Sequence, residues 1–198
     1  MKNLAIFLLF NLTYNLSASD KPNILFIAVD DLKPLLGTYG YSEVISPNID
    51  KLAEQGTTFT KSYCQWPVCG GSRASLMTGL YPESTGVMDL KTRMRDVNPD
   101  LITIPQHFKK NGYTTAGVGK IFDPRCVDNK NDLDKPSWSI PYTKYKLSKL
   151  KDKDKKRFAD FADCDDNEMA DGAIAEEGLK LMKKVAAKNK PFFLLIRQ

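Results

Sequence analysis

Histidine is almost missing from this chain. Its 198 residues carry one, His107, and a lone imidazole is weak evidence for a catalytic base or a metal ligand. His107 is therefore expected to be a surface or packing residue of the helix that holds it. Long apolar runs are missing too. The longest near the start, Leu4 to Phe10, falls far short of the roughly 20 residues that span a bilayer, so no stable membrane insertion is expected. There is no zinc-finger spacing and no RNA-binding aromatic signature, and the net charge of +5 is mild, so nucleic acid is excluded as a partner. No internal repeat is evident.

What is present suits one globular unit. Hydrophobic residues make up 42% and charged residues 27%, close to ordinary globular usage. Residues 1–18 read as a signal peptide: Lys2 supplies the positive flank, Leu4 to Phe10 the apolar stretch and Leu16-Ser17-Ala18 a small-residue cut. That implies an exported protein: periplasmic, secreted or lysosomal. The sequons at Asn11 and Asn15 fall inside this segment. Four cysteines remain, Cys64, Cys69, Cys126 and Cys164, and an even count in an exported chain permits disulfides.

Strand and helix signals alternate through residues 19–198. Asn23 to Val29, Tyr113 to Val118 and Pro191 to Ile196 are apolar runs that read as buried strands. Ser46-Pro47 opens a helix in which Ile49, Leu52 and Ala53 share a face, and Gly56 ends it. A weak alternation over Thr57 to Tyr63 predicts a short strand. A short helix runs from about Ser72 to Thr78 and closes at Gly79. Thr103 caps a further helix ending near Asn111-Gly112, and Asp166 to Ala187 forms another, with Met169, Ala173 and Leu181 among its apolar positions. Residues 125–165 show little periodicity and read as a basic insertion loop. The fold class is α/β, a mainly parallel sheet with helices on both faces.

Ligands of such sheets gather beyond the carboxyl ends of the strands. Asp30-Asp31 and Gly119-Lys120 both stand at ends of that kind. Adjacent carboxylates repel, and a hard divalent cation, Ca2+ or Mg2+, relieves this; a pair of solvated turn aspartates is the plain alternative. Cys69-Gly70-Gly71-Ser72-Arg73 followed by Thr78-Gly79 is the second chemical element. By itself Cys69 reads equally as a small buried residue or a disulfide partner of Cys64, and Arg73 and Lys120 as surface cations.

In combination these segments resemble the sulfatase family of the alkaline-phosphatase-like superfamily. Its signature is Cys-x-Pro-Ser-Arg with a small-residue helix and Thr-Gly behind it. Lys21-Pro22-Asn23, Ser46-Pro47-Asn48-Ile49-Asp50-Lys51-Leu52-Ala53 and Lys190 to Leu195 fit as well. Val29 to Pro34, Thr103-Ile104-Pro105-Gln106 and Gly119-Lys120-Ile121-Phe122 bring the chain nearest to the iduronate-2-sulfatase-like branch, over its amino-terminal portion. The resemblance implies that a maturation enzyme oxidises Cys69 to formylglycine. It implies a divalent metal, Ca2+ before Mg2+, on Asp30, Asp31 and residue 69. It also implies that Arg73 holds the formylglycine and that Lys120 binds the sulfate. One hydroxyl of the aldehyde hydrate attacks sulfur and releases the alcohol; the other collapses to the aldehyde and expels sulfate, so that one hard step becomes two. The implied substrate is a sulfated small molecule or glycan.

Three departures accompany the likeness. Gly71 stands where the signature has proline. The branch places a histidine at the position of Asp123, which is not expected to substitute for it. Family members run on through further metal and sulfate ligands, so this chain alone is expected to be a truncated, poor catalyst. Two other readings remain open: a phosphatase or phosphonate hydrolase, and a non-catalytic remnant that binds a sulfated glycan or a protein. Lys144 to Arg157, with a net charge of +6 from eight cations and two aspartates, reads as solvated insertion or as a rim that steers polyanions.

Overall fold

A computed structural model describes residues 21–128, 133–143 and 165–197. The expected signal peptide, the basic segment from Lys144 to Arg157 and Cys164 lie outside the described residues.

Three runs rich in aliphatic, aromatic or threonine residues form the sheet: β1 (Ile24–Ala28), β2 (Thr114–Val118) and β3 (Phe192–Arg197). The order is β1-β3-β2 and both pairings are parallel. Ala28 sits opposite Arg197, and Val118 opposite Ile196. The helices are α1 (Pro47–Gln55), α2 (Cys69–Thr78), α3 (Pro82–Thr85), α4 (Met94–Val97), α5 (Ile104–Lys110) and α6 (Ala170–Ala186).

Side chains alternate across the pleat, so each strand feeds two cores. On one face Ile24, Phe26, Phe193 and Leu195 pack with Ala74 and Met77 of α2 and with Ile104 and Phe108 of α5. On the other, Ala116, Val118, Leu194 and Ile196 meet Ile174, Leu181 and Val185 of α6. Each fully buried aliphatic side chain contributes about 1.5–3 kcal/mol. Helices therefore cover both faces, as the strand–helix alternation implies. The α6 stripe follows the 7- and 4-residue steps from Ile174 to Leu181 to Val185, while Met169 lies outside the helix and is half exposed.

Cover is incomplete over β1. Leu25, Ile27 and the adjoining Val29 face the α6 side of the sheet but stay 46, 56 and 45% exposed, because α6 sits over β2 and β3. Three local expectations differ. Thr57 to Tyr63 forms no strand, and among the described residues no strand pairs with it. Ser46 precedes α1 as expected, but its hydroxyl donates to Asp50 (3.0 Å) instead of capping the helix. Residues 133–143 are not loose insertion: Trp138 is buried over Gly117, its indole N–H donates to the Leu133 carbonyl at 2.7 Å, and Thr143 bridges to Val118.

Thr103 caps α5 as its sequence context implies. Its Oγ1 accepts from the Gln106 amide (3.2 Å), the Gln106 side chain accepts from the Thr103 amide (3.4 Å), and Thr103 also bonds Ser137. His107 is exposed on this helix, as expected, beside Asn111.

Candidate functional site

The parallel sheet delivers three charged residues to one edge. Asp30 follows β1 by two residues, Lys120 follows β2 by two, and Arg197 ends β3. Gly119 makes the convergence possible. Its φ is +86°, and a Cβ there would lie 1.9 Å from the Arg197 carbonyl oxygen, so only glycine allows the two strand ends to approach.

Helix α2 brings the remaining groups. It begins at Cys69, one turn earlier than the sequence implies, and Gly79 closes it in the left-handed conformation as expected. Cys69 therefore lies in the first turn, where backbone N–H groups are free to meet an anion. Arg73, one turn on, reaches across to the sheet. Its Nη1 donates to the carbonyls of Lys120 (2.6 Å) and Ile121 (3.4 Å), and its Nη2 pairs with Asp30 Oδ1. Lys120 Nζ stands 3.9 Å from Asp30 Oδ2 and 3.6 Å from Asp123 Oδ2. Cys69 Sγ donates to that same Asp123 oxygen at 3.2 Å. Cys69, Arg73, Lys120 and Asp30, distant in sequence, thus share one connected site. Asp31 is exposed, with a left-handed φ of +52°, and acts on Arg73 through space.

Gly71 has its own local cause. A Cβ there would lie 2.7 Å from both the Val87 carbonyl oxygen and Trp66 Cδ1, so this helix packs too closely for the signature proline. Cys64, Cys69 and Cys126 are free thiols, so no Cys64–Cys69 bridge forms.

Sequence reasoning missed three residues. Asp123, not expected to substitute for a histidine, is buried at the centre of the site. Arg125 grips it in a fork, with Nε on Oδ1 and Nη2 on Oδ2, both 2.9 Å. Arg125 holds the Asp123 carboxyl well below the usual carboxylate range, with the Cys69 hydrogen bond adding to the effect. Arg197 pairs with Asp30 Oδ2, and the strand-end rule applied to β3 would have singled it out. Burial lowers the proton affinity of the Arg73 and Arg197 guanidiniums, and nearby Cys69, Asp123 and Asp31 oppose this at Arg73. Four cations, Arg73, Lys120, Arg125 and Arg197, surround two acidic side chains, Asp30 and Asp123. The arrangement favours an oxyanion.

A parallel sheet covered by helices, with charged residues gathered at the carboxyl ends of its strands, defines an α/β fold. The fold is shared with an alkaline-phosphatase superfamily protein from Vibrio parahaemolyticus (TM-score 0.58, 19% identity, covering 90% of this chain and 40% of that one). A sulfatase family model matches residues 22–198, and the chain belongs to the sulfatase family. Iduronate 2-sulfatase of Mus musculus is 40% identical over 192 residues. That match takes in 91% of this chain, which spans 35% of the length of that relative. The structure of Ps i-CgsB in complex with k-i-k-neocarrahexaose has a TM-score of 0.66 at 25% identity, covering 90% of this chain and 45% of that one.

Sulfatases generally use a divalent metal and formylglycine. Carboxylates at the end of β1 are the right kind of donor for a hard cation. In number and state they do not fit one. Among the described residues no group of three or more His, Cys, Asp or Glu side chains could hold an ion, and both Asp30 oxygens face cationic side chains.

Proposed function

We propose that this chain forms the nucleophile-bearing part of a sulfuric ester hydrolase that acts on a sulfated sugar or glycan. The observation that carries the reading is the placement of Cys69: it lies in the first turn of α2, bonded to Asp123, the carboxylate that Lys120 and Arg125 also contact. Membership of the sulfatase family supports the reaction class. The relative named iduronate 2-sulfatase supports a sulfated substrate, and the neocarrahexaose in complex with a fold neighbour supports a saccharide.

In this reading residue 69, oxidised to formylglycine by a maturation enzyme during export, supplies the nucleophilic oxygen as its aldehyde hydrate. Lys120, 30% exposed at the mouth of the site, binds the sulfate. Arg73 is locked by two carbonyls and positions residue 69. Asp123 is too weak a base to take a proton efficiently near neutral pH, because Arg125 stabilises its charged form. Its role is to orient residue 69. The Ca2+ or Mg2+ reading assigns Asp30, Asp31 and residue 69 as ligands. On this chain that set requires Asp30 to leave its arginine partners and further oxygens to join.

The test is mass spectrometry of the tryptic peptide 62–73 after co-expression with a formylglycine-generating enzyme. The expected result is loss of the residue 69 thiol and gain of an aldehyde. Thiol or disulfide alone at residue 69 overturns the proposal.

A further inference from the structure

Asp30 is held by unequal partners. Arg73 divides its donors between Asp30 and the carbonyls of Lys120 and Ile121, so it is anchored whether or not Asp30 is charged. Lys120 Nζ is loose, at 3.9 Å. Arg197 differs from both. Its guanidinium pairs with Asp30 Oδ2, its side chain is 12% exposed, and its Nε is buried with no hydrogen-bond partner among the described residues. Its backbone is fixed by register opposite Ala28 and by the close approach of Gly119. The guanidinium thus rests on one carboxylate oxygen through Nη2.

We propose that Arg197 is a built-in counterion of Asp30 that competes with a divalent cation for the Asp30-Asp31 pair. The proposal rests on the reading of those aspartates as cation ligands. A guanidinium on Oδ2 neutralises part of the charge a cation needs and blocks one of its oxygen donors, and a dication placed beside it meets like-charge repulsion. Calcium, which takes six to eight oxygens, is the ion most penalised by the loss of a carboxylate oxygen. Arg197 is in this sense a positioning residue: it holds Asp30 in a conformation poor in cation affinity.

The experiment is calorimetric titration of CaCl2 into the metal-stripped 198-residue chain, and into its Arg197→Met and Arg197→Ala variants, with folding checked by far-ultraviolet circular dichroism. Methionine keeps an apolar stem in the buried position and guards against collapse of the alanine form. Calcium is expected to bind Arg197→Met about tenfold or more tightly than the native chain, from removal of one nearby like charge. Adding Asp30→Asn should abolish the gain. A rise in melting temperature on adding calcium should appear in the variant and not in the native chain. Equal or weaker calcium binding by a folded Arg197→Met overturns the proposal. If the native chain binds calcium through Asp30 and the variant is no better, the counterion role falls while the metal reading stands. If no form binds calcium, both fall, and the state of residue 69 is judged separately by its mass.

Discussion

Cys69 Sγ sits 3.2 Å from Asp123 Oδ2, bringing together two residues 54 positions apart in the chain. The contact ties the start of α2 to the turn after β2. It places a buried carboxylate beside the thiol, and a carboxylate locked by arginine cannot cycle a proton as an imidazole can.

Asp123→Asn should therefore cost stability. The lost charge-assisted contacts with Arg125 and Lys120 predict about 1–2 kcal/mol, the lower end for a buried carboxylate because Arg125 is half exposed. The sign with pH follows from the depressed native value. Below about pH 3.9, the ordinary carboxylate pKa, the unfolded chain binds the proton first. The contribution of Asp123 is complete above that value and is lost as pH falls through its lower native pKa. Urea denaturation should show the native and variant chains furthest apart at pH 7 and converging in strong acid.

Gly71→Pro, which restores the signature residue, should destabilise this chain. The new side chain meets the Val87 carbonyl and the Trp66 ring, and overpacking of this kind costs about 1–3 kcal/mol. Thermal melts should place Gly71→Ala and Gly71→Pro both below the native midpoint. An unchanged midpoint would show that Trp66 moves aside freely.

Cys126 and Cys64 should react very differently with iodoacetamide. Cys126 is 3% exposed, and burial, with Asp123 and Asp89 adding, pushes its thiol up to about 11; Cys64 is exposed. At pH 8.5 peptide mapping should find Cys64 alkylated early and Cys126 intact until the chain unfolds. Because an unfolded cysteine ionises near 8.5, stability should fall as pH rises from about 8.5 towards 11.

Thr103→Ala should loosen α5. It removes the cap on Gln106 and one of the two hydrogen bonds of the Ser137 hydroxyl, which keeps its bond to Asp134, together about 1–2 kcal/mol. Thr103→Ser should recover most of this. Amide exchange over Ile104–Lys110 is the measurement, and unchanged protection in the alanine form would count against the cap.

The sheet was legible because its strands are continuous apolar runs with no competing helical period. The Thr103 box and the Gly79 stop were legible because capping chemistry is local. Cys69, Arg73, Lys120 and Asp30 were placed at one edge by strand ends and by likeness to a family. Asp123 and Arg197 were not. Nothing local marks an aspartate as the one that an arginine two residues on will clamp, and Arg197 needs the strand-end rule extended to β3 before it stands out from a surface cation. Residues 133–143 were misread for a related reason: Trp138 packs against Gly117, a contact between segments that carry no shared pattern.

The bare side of β1 bears on how this polypeptide behaves at high concentration. Leu25, Ile27 and Val29 leave a greasy strip beside a rail of amides that, among the described residues, has β3 as its one neighbour. Two molecules can zip such rails together, so turbidity should rise with concentration and recede when a lysine replaces Ile27.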